Sequence, residues 1–357
     1  MAEETPKSND RDAAFKVVDP YLEASIQPLI GMKTIQILLL REALDYLVLR
    51  TEDTREINEV TTPSRTKKQN GETEVKEIRR IAFLGGKQKA VESREFERLL
   101  REAWKAINGG VEQQKKLQGG KDCYLKDNLC LSCPRCALFG ATSTESGKGD
   151  KPNIKHRIEY STAFSLLSHE ESVEDVTFNA IDDKLQTTGS AGRGYALGTR
   201  PCVRPGTLFA SIVTLRSATQ QELVLALKTL LSARSYGAES RTSGDVRNHI
   251  VGIIGGWEEV LTPLEFTLEC EQRLEDVLKE GTRPGAITEV VETYWKYCAD
   301  PSRVVLLNTT EQKEEKRLAV RNSLTELVDA VRQTPIDDTF LRSAYAHVAG
   351  LRAAQGA

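Results

Sequence analysis

Apolar residues alternate along the segment that begins at Lys33: Ile35, Ile37 and Leu39 fall at period two. The apolar run resumes over Tyr46–Leu49, so the pattern predicts a long first strand with a bend at Arg41-Glu42. Thr51 to Gly71 shows no apolar period and has a basic middle of Arg65, Lys67 and Lys68, which predicts a mobile loop. From Ser93 to Asn108 the period becomes helical: Phe96, Leu99, Leu100, Ala103, Trp104 and Ile107 share a face, and Gly109-Gly110 supplies the stop. Ile158–Leu167 and Val173–Ile181 alternate again and predict strands, with a glycine-rich tip at Gly189–Gly194. Thr207–Leu215 predicts another strand. Thr219 and Glu222 then form a capping box for a helix with Leu223, Leu227, Leu230 and Leu231 on one face. His249–Ile254 predicts a last short strand, ended by Gly255-Gly256.

Beyond it the period is helical. Thr262 and Glu265 make a second capping box with Pro263 at the first helical position, and Phe266, Cys270, Leu274, Val277 and Leu278 extend a buried stripe to Gly281. Val290, Val291, Tyr294, Trp295 and Cys298 mark a further helix stopped at Asp300-Pro301, and Leu324, Leu327, Val328 and Val331 mark another. The order up to residue 256 fits the β-α-β-β-α-β ferredoxin-like pattern, the scaffold of RNA-recognition (RRM-like) modules, with long insertions. The predicted class is therefore α+β. Residues 13–108 and 153–256 form its core, 109–152 an insertion, and 257–357 a helical region.

A chain of 357 residues with 39% hydrophobic content can bury a substantial core and should hold two or three structural units. Its most apolar stretch, Ile35–Leu40, is far shorter than the ~20 residues of a membrane span, and Met1–Asp12 is polar, so a soluble cytoplasmic protein is expected. Four of the seven cysteines crowd into one segment, Cys123, Cys130, Cys133 and Cys136. Two successive C-x2-C steps present four soft thiolates, which suits a structural zinc ion in a reducing compartment; an iron–sulfur cluster uses similar spacing, and unliganded thiols are the plain alternative. Cys270 and Cys298 fall on apolar helix faces and read as small core residues.

The net charge of −3 conceals segregation. Lys184 to Arg247 holds nine Lys and Arg against three acids, a net of +6, whereas Trp257 to Asp300 holds four against eleven, a net of −7. The basic block contains Arg193, Arg200, Arg241 and Arg247 among glycines and hydroxyls, the composition of a surface that meets a phosphate backbone. Lys87 and Lys89, after Gly85-Gly86 and ahead of the Ser93 helix, offer a second such place. The phosphate-loop motif and the aromatic RNP1 pattern are both absent, so nucleotide hydrolysis and base stacking on the sheet are not expected. His156, His169, His249 and His347 are scattered with no nucleophile nearby in sequence, and no catalytic constellation stands out.

The cysteine insertion after the first helix, the glycine-tipped segment before Val203–Phe209, and the stretch Ala233–Arg241 together resemble the backbone subunit of type I-D CRISPR surveillance complexes (Cascade), of the RAMP superfamily. That resemblance implies a non-enzymatic subunit that assembles in several copies along a CRISPR RNA, holding its sugar–phosphate backbone on a basic palm. It also implies contacts to other Cascade subunits and to a target DNA strand, or an RNA one, paired with the guide. The thumb hairpin of the family would be about residues 173–205, and the palm contacts would come from the Lys87/Lys89 and Arg241/Arg247 segments. The zinc insertion would face the target strand or a neighbouring subunit. Related type III subunits carry a cutting aspartate after the first strand, for which Asp53 is the nearest match, although no surrounding motif supports it. Two rival readings are a CRISPR-RNA-processing endoribonuclease using His156 or His249, and a zinc-stabilised protein-interaction module.

Overall fold

Ile35, Ile37 and Leu39 of strand β1 (Thr34–Ala43) enter one hydrophobic core, while Leu38 and Leu40 enter a second, so this strand is covered on both faces. A computed structural model of the chain describes residues 13–50, 56–67, 73–124, 128–142, 153–179, 189–190, 193–194, 196–237, 244–273, 284–307, 319–321 and 323–356. β1 pairs antiparallel with β10 (Leu208–Arg216) on one side and β11 (Val246–Gly256) on the other. β10 in turn pairs with two short strands, β4 (Ile158–Tyr160) and β5 (Ala163–Ser165). β5 continues the sheet to β3 (Thr73–Phe83) and β2 (Glu59–Lys67). At the opposite edge β11 pairs with β12 (Val305–Leu307), and β12 lies parallel to β13 (Ala319–Arg321).

Helices cover both faces. Helix α1 (Gly85–Lys105) and α5 (Gln220–Ser232) bury Phe96, Leu100, Trp104, Leu223, Leu227 and Leu230 in the first core. α8 (Ser323–Gln333) and α9 (Asp338–Ala354) join the same core through Leu327, Val331, Tyr345 and Val348. α6 (Pro263–Gln272) and α7 (Pro284–Trp295) close the second core with Phe266, Cys270, Val291 and Trp295. Both capping boxes form: the Thr219 and Thr262 hydroxyls accept from the N–H groups of Glu222 and Glu265 at 3.3 Å, and each glutamate accepts in return from the threonine N–H. β6 (Val173–Asn179) and β9 (Ala196–Val203) pair as a separate two-stranded arm, and β7 (Gly189–Ser190) pairs with β8 (Arg193–Gly194).

Four expectations need correcting. The segment predicted as a mobile loop contains β2, paired with β3 over nine residues. Its buried side is polar, which is why no apolar period announces it: Thr62 and Ser64 are buried, and the fully buried Arg80 donates to Thr62 Oγ1 at 2.9 Å and to the Ser165 and Leu166 carbonyls at 2.8 and 2.7 Å. β1 ends at Ala43; Leu47 instead makes an isolated bridge to Val203. The Ile158–Leu167 strand is two strands, interrupted at Ser161-Thr162. The helix expected from Ser93 starts eight residues earlier, at Gly85, and Ser93 is a buried helical residue whose hydroxyl accepts from Arg135 Nε at 3.0 Å.

Gly85 shows why a glycine opens α1. A Cβ there would lie 2.4 Å from the backbone oxygen of Tyr160. Gly85→Ala is expected to destabilise the protein by about 1–3 kcal/mol, the usual range for overpacking, despite the better helix propensity of alanine. Urea unfolding checks this as a lowered midpoint with an unchanged m-value.

Candidate metal centre and nucleic-acid interface

The four clustered cysteines come together as their spacing predicts. Cys133 caps α3 (Pro134–Phe139), its Sγ accepting from the Cys136 N–H at 3.4 Å, and Cys130 Sγ accepts from the Ser132 N–H at 3.4 Å. Between them Leu131 adopts a positive φ of 58°, which turns the chain sharply enough to bring both sulfurs to one point. The Sγ separations are 3.5 Å for Cys123–Cys136, 3.7 Å for Cys123–Cys133 and 4.0 Å for Cys130–Cys136, and all four ligand atoms lie within 4.8 Å of one another. All four residues are buried. Burial pushes the Cys133 thiol up, while hydrogen bonds from the other three thiols push the Cys136 thiol down. Four buried thiols at this separation can hold a metal ion. Among the described residues no other group of three His, Cys, Asp or Glu residues does so.

The basic residues are distributed more widely. Lys87 and Lys89 lie within the opening turns of α1 instead of in a loop before it. Arg247 is exposed on β11 opposite Glu42 of β1, and Glu42 Oε2 stands 2.7 Å from His249 Nε2. Arg200 lies on β9 opposite Val176, and Arg193 on β8 opposite Ser190. Arg65 already has acidic company, Nη1 standing 3.7 Å from Glu269 Oε1 and its N–H donating to Glu271 Oε2 at 3.3 Å. Lys67 is the last residue of β2, opposite Thr73. Lys68, Arg241 and Asp53 lie outside the described residues. The structure therefore brings Lys87 and Lys89 together on one helix and leaves Arg65, Arg200 and Arg247 on separate strands.

Sequence reasoning missed the support beneath the Ala233–Arg247 segment. Its two ends are joined by a bridge between Ser235 and Asp245, and the Tyr236 N–H donates to the Gly244 carbonyl at 3.2 Å. Gly244, at φ +58°, leaves no room for a side chain: a Cβ would stand 2.4 Å from Leu47 Cδ1 and 2.8 Å from the Gly237 backbone. Tyr236 then reaches into the interior, its hydroxyl donating to Glu92 Oε1 at 2.8 Å. Arg41 Nη1 donates to the same Glu92 oxygen at 2.6 Å and to Asn248 Oδ1 at 2.9 Å. The available signal was two charged residues at otherwise buried positions, Arg41 inside an apolar strand and Glu92 inside an amphipathic helix.

A family profile described as Csc2 Crispr matches residues 21–345. Among solved structures, one described as the crystal structure of Thermofilum pendens Csc2 superposes with a TM-score of 0.59 at 22% identity, covering 95% of this chain and 95% of that one. A chain of a structure described as a CRISPR RNA-guided surveillance complex aligns at 12% identity over 84% of this chain and 98% of that one, with a TM-score of 0.47. A chain of the same kind of complex in a pre-nicking state aligns at 13% identity over 84% and 99%, with a TM-score of 0.49. No curated protein matches the sequence.

Proposed function

This chain belongs to the Csc2 CRISPR family, and from that premise we propose that it is a guide-RNA-binding backbone subunit of a type I-D surveillance complex. The observation that carries this is the family match across residues 21–345. The topology supports it: in the order β11-β1-β10-β4, with α1 and α5 as the two crossing helices, the chain follows the β-α-β-β-α-β path of an RRM-like core. In this reading the β6/β9 arm, with β7 and β8 beyond it, is the thumb. Lys87, Lys89, Arg241 and Arg247 contact the guide backbone. Arg65, Lys67, Lys68, Arg193 and Arg200 serve as flanking contacts. Sequence is read by guide–target pairing, and this chain supplies backbone contacts, copy-to-copy assembly along the RNA and docking to other Cascade subunits in the cytoplasm, with no cutting step of its own.

Zinc is the metal that suits the cysteine centre. A tetrahedral ion with Zn–S bonds of about 2.3 Å sets its sulfurs about 3.8 Å apart, and the separations of 3.5, 3.7 and 4.0 Å bracket that edge. Four protein thiolates leave no position for water, so the ion is structural.

The test is to purify the chain from cells that express a guide RNA. The expected product is an oligomer carrying RNA of discrete length. Arg241→Glu combined with Arg247→Glu should weaken RNA binding about tenfold or more at physiological salt, because two phosphate contacts become repulsions. Unchanged RNA association in that double variant would refute the assignment of the palm.

A further inference from the structure

The polar residues at the Arg247 end of β1 and β11 divide between the two faces of the sheet. Arg41 and Asn248 turn toward α1, where Arg41 Nη1 donates to Glu92 and to Asn248. Strand alternation therefore sends Glu42, Arg247 and His249 to the opposite face. The register agrees: Glu42 stands opposite Arg247, and His249 opposite Leu40, which lies in the second core with Phe266 and Val291. That core, closed by α6 and α7, ends there. Arg247 is exposed, and the side chains of Glu42 and His249 are 31% and 32% exposed.

A carboxylate is out of place on a surface that meets phosphates, because it repels them. Nor is Glu42 spent on neutralising its neighbour. Among the described residues Arg247 makes no ion pair with it, and only Glu42 Oε2 is engaged, 2.7 Å from His249 Nε2. His249 thus fixes one oxygen, and Oε1 has no hydrogen-bond partner among the described residues. On the other side of Glu42, β10 presents the half-buried Leu208 directly opposite. An exposed cation, a held acceptor and an apolar side chain therefore stand in one row across three strands. They suit, in turn, the phosphate, the hydroxyl and the carbons of one sugar–phosphate unit. A carboxylate that accepts from a ribose 2′-hydroxyl is the device dinucleotide sites use for the same recognition.

We propose that Glu42 accepts a hydrogen bond from a 2′-hydroxyl of the RNA whose phosphate Arg247 meets, with His249 positioning the carboxylate and Leu208 lying under the sugar. The inference rests on the guide-binding reading and deepens it. Phosphate contacts hold RNA and DNA alike, whereas a 2′-hydroxyl acceptor makes the chain select the ribose strand. A deoxyribose leaves the acceptor unpaired and keeps its charge beside the backbone.

The test measures binding of oligouridylate and oligodeoxyuridylate of equal length to the full chain at physiological salt. Wild type should prefer the ribose strand about tenfold or more, the effect of one hydrogen bond to a charged acceptor. Glu42→Leu should abolish most of that preference, Glu42→Gln, which keeps an acceptor, should retain part of it, and His249→Phe should lower it by releasing the carboxylate. The ratio of the two affinities is the readout, because removing a carboxylate strengthens both strands through charge alone. A wild-type chain with no ribose preference, or a preference unaltered in Glu42→Leu, overturns the proposal. Failure of the guide reading shows differently, as affinity for both strands that Arg247→Glu leaves unchanged.

Discussion

Glu92→Gln should destabilise the protein by about 3–5 kcal/mol, the scale on which removing one partner strands a buried charge. Arg41 and Glu92 have fully buried side chains and stand 2.6 Å apart. Burial works to discharge Arg41, but the Glu92 carboxylate outweighs it, so the guanidinium stays charged with its pKa above the usual value. Its other neighbours are neutral: Nε donates to Ser211 Oγ at 3.1 Å, and the rings of Tyr236 and Phe83 lie 5.5 and 5.9 Å from its central carbon. None of them replaces the lost anion. The pair itself is another matter, since two desolvated ions repay little against an apolar pair of similar volume. Arg41→Met combined with Glu92→Leu is therefore expected to cost far less than Glu92→Gln alone. Urea unfolding of wild type, both singles and the double provides the cycle; a double as damaging as the sum of the singles would refute the coupling. The effect extends to the proposed palm, because Tyr236, at the base of the Ala233–Arg247 segment, donates to this same carboxylate.

How much of this was legible beforehand depended on which physical effect shaped each segment. Elements built on apolar periodicity were readable, among them β1, α5 and the stripe of Phe96, Leu100 and Trp104, as were both capping boxes, whose residues act within four positions of one another. Cys123, Cys130, Cys133 and Cys136 were readable because a soft-ligand site announces itself by residue type and spacing. Elements held by polar burial were not. β2 buries Thr62, which accepts from Arg80, and Ser64, whose Oγ donates to Glu271 Oε1 at 2.7 Å, a partner 207 positions away. β12 and β13 are three residues each, too short for any period to register. The buried pair of Arg157 and Glu222 shows the same limit: Glu222 was visible as half of a capping box, but not as the carboxylate that also receives Arg157 Nη1 at 2.8 Å. Long-range polar contacts leave no local pattern, so the root of the Ala233–Arg247 segment and the pair of Glu42 and His249 emerge only once the chain is folded.

Removing the metal should have the largest effect of all. Structural zinc contributes about 10–16 kcal/mol of apparent binding free energy in small thiolate sites, and that energy is folding energy wherever the site does not exist in the unfolded chain. Here the cysteines are not a detachable knob. They share one continuous core with Phe96, Trp104 and Leu138 and with Tyr345 and Val348 of α9, so loosening the segment exposes the packing of α1 and α9 as well. One metal per chain is the expected stoichiometry, and its uptake should release protons, since the Cys133 thiol, pushed up by burial, must ionise to bind. Cys130→Ser with Cys133→Ser, or a strong chelator at neutral pH, should lower the thermal midpoint by at least ~10 °C, given that each kcal/mol moves it by about 2–4 °C in domains of 150–250 residues. Re-adding zinc should restore the chelated protein but not the double variant, because two thiolates cannot close a tetrahedral shell without water. Substitution by Co2+ gives an independent reading of tetrahedral thiolate coordination from its visible absorption. Less than one metal per chain, together with an unchanged midpoint in the double variant, would refute the metal centre. The outcome then requires that hydrophobic burial alone, through Leu131, Ala137 and Phe139, holds the four sulfurs together.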